Sequence, residues 1–438
     1  MSELTENVPA YDSDIVVIGA GAAGLMTAIH AARAGHLRVV ALDGAPRIGI
    51  KILVAGGGRC NVTHHVVDER DYAGSTPAAI RRVLSRFSVA DCVAFFNQLG
   101  VTFKQEDTGK LFPTTDDAHT VLNALLQAAR DSGVDLRWPI RVQSITPLAQ
   151  GGFEVAGPWG VLRARAIALC SGGKSLPKSG SDGLGLELVK TLGHSVTRHV
   201  IPSLVPLVSD AQHWARTLSG LAVEAEIRVV SGTGRHIISS INSMLFTHFG
   251  FSGPAVLDMS RHLMMERTRD PDASLQLCFL PNLRHDLPKG PKHNAKLSCS
   301  LDEADTWLLD SKAQTVLSRL RERLPERLAK TLLESAGIPT DRSAKQIDRE
   351  RRRSLAQLLC AAPAHIVGDR GFSHAEVTAG GVPLNELNVS TLQSRMCPGL
   401  FMAGEILDVD GRIGGFNFQW AWASGFVAGI SIAKYLDS

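Results

Sequence analysis

The sequence predicts an α/β fold in which a nucleotide-binding domain is interrupted by an inserted β-rich and helical region. A buried strand, a glycine-rich turn and a helix open the chain between Asp14 and Ala34. Alternating and helix-forming stretches fill the middle, and short strands with glycine turns return after about residue 370. We therefore expect a discontinuous domain at 1–192 and 366–438, an inserted β-rich domain at 193–300 and an inserted helical subdomain at 301–365.

The first strand–helix–strand unit is the clearest element of the sequence. Asp14–Ile18 is a continuous apolar run rich in β-branched residues, as expected of a strand buried on both faces of a parallel sheet. The helix that follows spans about Ala22–Ala34, and Gly35 ends it. Arg38–Leu42 is a second buried strand, and Asp43 follows it directly.

Further along the chain the patterns are shorter. We predict a glycine-rich loop at Gly49–Asn61, helices at Val89–Leu99, His119–Ser132 and near Trp420–Leu436, and strands at Arg137–Thr146, Gly152–Ala156, Leu162–Ala168, Ala222–Val230 and His236–Ser240. Residues 301–362 are dominated by good helix formers.

Composition bounds the class of protein. The 438 residues are 44% hydrophobic and 20% charged with a formal net charge of +3, which is ordinary for a globular protein. The seven cysteines are scattered and contain no CxxC pair, which argues against a disulfide framework and a structural metal site. The polar N-terminus lacks the pattern of a signal peptide, and no apolar run is long enough to span a bilayer. We expect a cytoplasmic protein with no membrane partner.

The glycine turn Gly19-Ala20-Gly21-Ala22-Ala23-Gly24 follows a strand, opens a helix and precedes an acid at the end of the next strand. Gly19 permits the tight turn, Gly21 leaves room for a pyrophosphate, and Gly24 lets the helix pack close to the strand. The helix N-terminus favours phosphate, and Asp43 can accept hydrogen bonds from ribose hydroxyls. This pattern predicts an ADP-containing cofactor but does not separate FAD from NAD.

Two distant segments favour FAD. Gly56-Gly57-Gly58-Arg59-Cys60-Asn61 lets the backbone pass close to a flat ring while Arg59 and Asn61 offer polar contacts. Gly399–Glu405 is a strand running into a glycine and an acid, and a glycine-rich turn and a helix follow within Asp408–Gln419. In two-part FAD folds such an acid lies near the ribityl chain, and the helix N-terminus points at the flavin edge where negative charge develops on reduction.

These motifs together resemble the YhiN-like (BaiN-like) flavoprotein family of the glutathione-reductase-type FAD superfamily. The resemblance rests on Gly19–Gly24, Lys51–Asn61, Cys170–Pro177, Leu245–Pro254, Thr378–Val382 and Gly399–Gln419. It implies a Rossmann-like FAD-binding domain of the glutathione-reductase type. The sequence departs from the family pattern at Ile50, at Cys170-Ser171 and at Arg412, and Ile50 and Arg412 could alter the substrate side.

The resemblance implies a set of cofactor-binding residues, of which Val142 could equally be core. The set comprises Gly19, Ala20, Gly21, Gly24, Asp43, Gly44, Lys51, Gly58, Arg59, Cys60, Asn61, Val142, Ser171, Gly172, Gly404, Glu405, Gly415 and Asn417.

The reaction is expected at a bound flavin, and two residues are candidate acids. Cys60 lies beside Arg59, which could lower its pKa, and His248 lies in a glycine-flanked loop of the inserted region. The plainer interpretation of Cys60 is a small packing residue, and that of His248 is a hydrogen-bonded loop histidine. No second GxGxxG with a following acid occurs, so NAD(P)H, if it is the electron donor, would dock transiently.

The substrate stays open between three classes. The family resemblance implies reduction of a uridine in ribosomal RNA, oxidation of small amines such as aminoacetone, or reduction of another small molecule such as a bile acid; a flavin-binding module without catalysis is the remaining alternative. Basic clusters at Arg342–Arg353, at Arg284–Lys296 and at Arg81, Arg82 and Arg86 favour RNA, because RNA needs phosphate contacts and a small amine does not. A solvated helix face is the plainer interpretation of each cluster.

Overall fold

The computed structural model describes residues 11–281, 283, 299–310 and 314–438, and the backbone of Lys292 and His293. The chain forms two compact units, Met1–Pro202 with Glu376–Ser438, and Ser203–Ala375. Both boundaries lie later in the chain than the sequence predicted. The basic stretch Arg284–Lys296 lies outside the described residues, apart from the backbone of Lys292 and His293.

The α-helices of the described residues are α1 (Ala22–Arg33), α2 (Ile50–Gly58), α3 (Pro77–Leu84), α4 (Val89–Gln98), α5 (Ala118–Asp131), α6 (Leu184–Thr191), α7 (Pro254–Arg267), α8 (Leu301–Leu309), α9 (Val316–Arg321), α10 (Glu326–Ser335), α11 (Arg349–Ala361) and α12 (Phe416–Asp437).

The strands are β1 (Ser13–Ile18), β2 (Val39–Leu42), β3 (Thr63–His64), β4 (Tyr72–Gly74), β5 (Phe103–Gln105), β6 (Lys110–Pro113), β7 (Asp135–Arg137), β8 (Ser144–Pro147), β9 (Phe153–Gly157), β10 (Gly160–Leu169), β11 (Ile201–Ser203), β12 (Leu207–Ser209), β13 (Ala222–Val230), β14 (His236–Thr247), β15 (Gly250–Ser252), β16 (Ser274–Cys278), β17 (Lys292–His293), β18 (Ala362–Pro363), β19 (Ile366–Asp369), β20 (Val377–Ala379), β21 (Leu387–Asn388), β22 (Gln393–Ser394), β23 (Leu400–Met402) and β24 (Val409–Gly411).

A sheet with a parallel centre forms the middle of the first unit. Its main path runs β21-β22-β23-β10-β1-β2-β7, and the pairs from β23 to β7 are parallel. The β1 strand, with residues Ile15–Ile18 buried, lies between β10 and β2. This arrangement confirms the predicted Rossmann-like α/β fold, and it brings β23, from the C-terminal segment, beside the N-terminal strands.

The last helix packs tightly against the first. A Cβ at Gly425 would lie 2.5 Å from the carbonyl oxygen of Ala23, and one at Gly429 would lie 2.6 Å from that of Thr27. Glycine on α12 therefore lets the two backbones approach closely. The C-terminal segment is held against the helix that follows the glycine turn.

Two local predictions differ from the structure. The segment Gly49–Asn61 opens with helix α2, and only at Ala55 does the backbone leave helical geometry. The strand predicted at Arg137–Thr146 is two strands, β7 and β8, because Pro139 has no N–H for a ladder and the chain turns there. Val142 therefore lies between strands.

The second unit is an eight-stranded sheet with helices α7–α11. The strand order is β18-β16-β13-β14-β15-β12-β19, and β17 pairs with β14. Strands and helices share one hydrophobic core, which includes Ile227 and Leu277 from the sheet and Leu332 and Leu359 from the helices. The structure therefore shows one unit where the sequence predicted a β-rich domain and a separate helical subdomain. Among the described residues, no helix combines the length and apolarity that crossing a membrane requires.

Candidate functional site

The glycine turn at the end of β1 has the geometry that a bound pyrophosphate requires. A Cβ at Gly24 would lie 1.7 Å from the carbonyl oxygen of Gly19, so Gly24 is required by internal packing. At Gly21, by contrast, a Cβ would meet no heavy atom of the described residues within 4 Å. Gly21 is the N-cap of α1, no side chain caps the helix, and no acid lies in its first turn. Open space therefore faces a helix N-terminus, where an anion is favoured.

Asp43 orients this turn from the end of β2. Its carboxylate accepts the backbone N–H groups of Ala20 and Ala45, both at 2.8 Å. Burial raises the pKa of the Asp43 carboxyl, and these two hydrogen bonds oppose the rise. The structure shows that this carboxylate fixes the turn, and its acceptance of ribose hydroxyls stays a prediction.

An ion pair joins the N-terminal and C-terminal parts of the unit. The Nζ atom of Lys51 on α2 lies 2.5 Å from Oε2 of Glu405, just after β23, and donates to Ser175 Oγ at 2.7 Å. The other carboxylate oxygen of Glu405 accepts from Ser175 Oγ at 2.8 Å and from the backbone N–H of Thr378 at 2.9 Å. The hydroxyl of Thr378 accepts the N–H of Ser175 at 3.0 Å. We call Lys51, Ser175, Thr378 and Glu405 the Lys51–Glu405 network.

Sequence reasoning named Lys51 and Glu405 but missed Ser175 and Thr378. A signal was present, since both lie in segments that carried the family resemblance, Cys170–Pro177 and Thr378–Val382. The contact between them joins residues 203 positions apart. Such a pairing has no local pattern that a single sequence could reveal.

Two buried polar atoms near these segments lack partners. Ser171 Oγ and Asn61 Oδ1 are buried and have no hydrogen-bond partner among the described residues. A buried polar group without a partner costs about 1–3 kcal/mol, so such atoms are uncommon in folded proteins. Both belong to the predicted cofactor-binding set.

The N-terminus of α12 closes the C-terminal part of the site. Its N-cap is Gly415, with φ of 94°, and a Cβ there would lie 2.7 Å from the backbone of Thr63. No side chain caps α12, and its first turn contains no acid. The Asn417 amide, however, makes two 2.8 Å hydrogen bonds with the backbone of Gly411. Asn417 therefore holds the preceding turn, and its contact with the cofactor stays a prediction.

The remaining predicted cofactor residues differ in burial and in backbone conformation. Gly44 and Gly58 are exposed, while Ala20 and Val142 are buried and Val142 is part of the hydrophobic core. Gly172 and Gly404 have φ of 74° and 80°, and a Cβ on Gly404 would lie 2.7 Å from the Cβ of Ala23. Gly404 therefore lies against α1, which brings the C-terminal strand end to the glycine turn.

The pair Arg59 and Cys60 does not behave as predicted. The Arg59 guanidinium donates to Glu106 at 2.7 Å, lies 3.7 Å from Asp116 and stacks 4.0 Å over the Phe112 ring. The Cys60 thiol is fully buried in the core, and burial raises its pKa to about 12. The predicted lowering of the Cys60 pKa by Arg59 is therefore wrong.

His248 lies in the second unit, at the turn between β14 and β15. It is exposed, and its ring packs edge-on against Phe249 at 5.1 Å. The Arg370 guanidinium stacks over the same Phe249 ring at 4.4 Å. The predicted histidine is thus an accessible side chain beside an aromatic ring and a cation.

FAD fits the residues of the first unit. The open position at Gly21 and the uncapped starts of α1 and α12 supply the space and the N–H donors that such a cofactor needs. Ser171 Oγ can donate or accept a hydrogen bond, and Asn61 Oδ1 can accept one. Within the described residues, no group of three His, Cys, Asp or Glu side chains could hold a metal ion.

Comparisons with known proteins agree with this geometry. The family model described as HI0933-like protein Rossmann domain matches residues 13–431. A 3-dehydro-bile acid delta(4,6)-reductase of Clostridium scindens is 32% identical over 96% of this chain and 99% of that protein. Ribosomal RNA dihydrouridine synthases are 31% identical in Escherichia coli, over 94% of this chain and 96% of the relative, and 29% identical in Haemophilus influenzae, over 99% and 100%.

The match covers both segments of the first unit and the whole inserted unit. The relatives are matched along almost their full length, so the similarity is not confined to the nucleotide-binding turn. The chain belongs to the HI0933-like Rossmann-domain family of flavoproteins and is an FAD-dependent oxidoreductase.

Proposed function

We propose that this protein reduces a uridine of ribosomal RNA to dihydrouridine, with NAD(P)H as the electron donor to the flavin. The observation that carries the proposal is full-length similarity to two enzymes named as ribosomal RNA dihydrouridine synthases. The exposed cations of the inserted unit support RNA over a small substrate.

Dihydrouridine differs from uridine by one hydrogen on each of two neighbouring ring carbons, C5 and C6. Bound FAD would supply the hydride for C6. The chain itself must supply the proton for C5. His248 is exposed and can meet a substrate, whereas the Cys60 thiol is buried in the core with a raised pKa. We therefore propose His248 as the acid and no longer propose Cys60.

The basic cluster Arg342–Arg353 contains two kinds of cation. Arg342, Arg351 and Arg352 pair with Asp341, Asp348 and Asp305 at 4.0, 3.5 and 2.5 Å. The others, which we call the open cations, are Lys345, Arg349 and Arg353; all three are exposed and have no carboxylate partner among the described residues.

The helix dipole does not favour Arg349, the open cation in the first turn of α11. Arg349 begins α11, and Arg353 follows one turn later on the same side. Cations in a first turn are disfavoured by the helix dipole. An external polyanion such as RNA would offset that cost, and its phosphates would each be contacted by one cation. In the basic cluster of Arg81, Arg82 and Arg86, Arg81 already pairs with Glu69 at 2.9 Å, so this cluster offers fewer unpaired charges to RNA.

The open cations give a test of RNA binding. Replacing Lys345, Arg349 and Arg353 with Gln should weaken binding of ribosomal RNA and reduce the slope of log affinity against log salt by about 2, since each phosphate contact contributes about 0.7–0.9. Arg351→Gln is the matched control, because Arg351 is equally exposed but paired with Asp348. An unchanged slope in the triple variant would argue against this surface.

The function itself is tested on RNA from a strain that lacks the gene. Mass spectrometry should show that one position of ribosomal RNA that is dihydrouridine in the wild-type strain is uridine, 2 Da lighter, in the deletion strain. Complementation with the wild type should restore the dihydrouridine, and complementation with His248→Gln should restore little, since loss of a general acid costs about 10²–10⁴-fold in rate. An unchanged dihydrouridine content in the deletion strain would sink the proposal.

A second candidate is reduction of a small ring compound. It is favoured by the 32% identity with a bile acid delta(4,6)-reductase over almost the whole of both chains. Reduction of a double bond conjugated to a carbonyl is chemistry that a uracil ring and such a steroid have in common. Turnover of a steroid dienone with no turnover of RNA would favour this candidate.

A further inference from the structure

Three cysteines of the inserted unit form a buried cluster. Cys278 ends β16, Cys299 precedes α8, and Cys360 lies in the last turn of α11. They are 0%, 5% and 1% exposed. The Sγ atoms of Cys360 and Cys299 are 3.0 Å apart, and Cys360 also hydrogen-bonds to Cys278. We call these three residues the thiol cluster.

The distance within the thiol cluster is short. A disulfide bond is about 2.05 Å long, so a movement of about 1 Å would join Cys299 to Cys360. Both thiols also point toward the carbonyl oxygen of Ser300, at 3.4 and 3.5 Å, so the two sulfur atoms are held on the same side of the chain.

A buried cation lies beside the cluster. Arg228 is 9% exposed, donates to Glu226 at 2.7 Å and to the carbonyl oxygen of Cys360 at 3.1 Å, and its Nε has no partner among the described residues. The hydrogen bond with Cys360 and the positive charge of Arg228 lower the pKa of the Cys278 thiol, against the effect of burial. Thiolate is the form that reacts with peroxide.

We propose that the thiol cluster is a peroxide-sensitive modification site at which Cys299 and Cys360 form a reversible disulfide. The oxidant is hydrogen peroxide, a product of the reaction of reduced flavins with oxygen.

The Cys278 thiolate attacks peroxide: an S–O bond forms, the O–O bond breaks, and hydroxide leaves and takes up a proton. The Cys360 thiol then attacks the sulfenic sulfur, forming an S–S bond and releasing water. Cys299 displaces Cys278 from Cys360 by thiol–disulfide exchange, so Cys278 ends as a thiol. In total two thiols lose two electrons and two protons, and one peroxide becomes two waters.

The test uses the full-length flavoprotein treated with a small excess of hydrogen peroxide. We expect a loss of 2 Da in the intact mass, alkylation of five of the seven cysteines after denaturation, and one disulfide-linked peptide pair containing Cys299 and Cys360. Because the bond would close a loop of 61 residues, the melting temperature should rise by roughly 10 °C and return with dithiothreitol.

Variants separate the proposed route from unspecific oxidation. Cys299→Ser should abolish the linked pair, Cys278→Ser should slow its formation at least tenfold, and Cys397→Ser, which alters a buried cysteine outside the cluster, should change neither. If Cys299→Ser does not fold, the number of alkylated cysteines in the peroxide-treated wild type still shows whether one disulfide has formed. Seven alkylated cysteines after peroxide, or a linked pair that lacks Cys299 or Cys360, would overturn the proposal.

Discussion

The ion pair of the Lys51–Glu405 network should contribute to the stability of the apoprotein. The Glu405 carboxylate accepts hydrogen bonds from Lys51 at 2.5 Å, Ser175 at 2.8 Å and Thr378 at 2.9 Å. Glu405→Gln removes the charge and leaves the Lys51 ammonium without its partner. We expect the free energy of unfolding of the apoprotein to fall.

The magnitude follows from burial. The side chains of Lys51 and Glu405 are 25% and 17% exposed. Breaking a fully buried pair costs about 3–5 kcal/mol, and an exposed pair contributes about 0–1 kcal/mol. Allowing for solvent screening, we expect Glu405→Gln to cost about 2 kcal/mol, with a coupling energy of about 1–2 kcal/mol to Lys51→Met in a double-mutant cycle.

The assay is urea unfolding of the apoprotein, followed by titration of each variant with FAD. Lys190 and Glu187 supply the control, since they form a 3.0 Å pair in the same unit with side chains 50% and 63% exposed. Their coupling energy should be below about 0.5 kcal/mol. FAD affinity should fall about tenfold in Glu405→Gln and stay unchanged in Glu187→Gln. Equal coupling energies in the two cycles would show that burial does not strengthen the Lys51–Glu405 ion pair.

Three further outcomes are expected. Gly21→Ala should fold, because its Cβ meets open space, but it should bind FAD weakly, because that space is where the pyrophosphate is expected. Gly24→Ala should not fold stably, because its Cβ would lie 1.7 Å from a carbonyl oxygen. Circular dichroism measures folding and flavin absorbance measures FAD content. Cys60→Ala should keep its flavin and its turnover, since the thiol faces the core. A hundredfold loss of kcat would instead indicate that the Cys60 thiol donates a proton in the reaction. His30 packs among three phenylalanines and burial lowers its pKa to about 4, so its neutral form stabilises the fold fully above about pH 6.5 and this contribution is lost as the pH falls toward 4. The stability lost through His30 between about pH 6.5 and pH 4 is at most about 3 kcal/mol. His30→Phe should therefore make the urea midpoint less dependent on pH in this range.

The nucleotide-binding half of the fold was predictable because its signals are local. The β1 strand, the glycine turn and α1 follow one another within residues 13–33, and each has a pattern of its own. The C-terminal strand and helix were also predictable, since Gly399–Glu405 and the glycines before α12 carry a turn pattern.

The inserted unit and the details of the site were less predictable. Contacts such as Ser175 with Thr378, or Cys299 with Cys360, join residues far apart in sequence, and nothing local records them. The error at Cys60 has a different cause. Sequence adjacency placed it beside a cation, but the side chains of Arg59 and Cys60 diverge, one toward Glu106 and the other into the core.

The proposed reduction of ribosomal RNA can be tested by an anaerobic half-reaction with the purified flavoprotein. The enzyme is reduced with NADPH until its visible flavin absorbance is bleached, and it is then mixed with ribosomal RNA from the deletion strain. We expect the flavin to reoxidise and one dihydrouridine to form for each flavin oxidised. A flavin that stays reduced with RNA and reoxidises only when oxygen or a small-molecule acceptor is admitted would show that RNA is not the substrate.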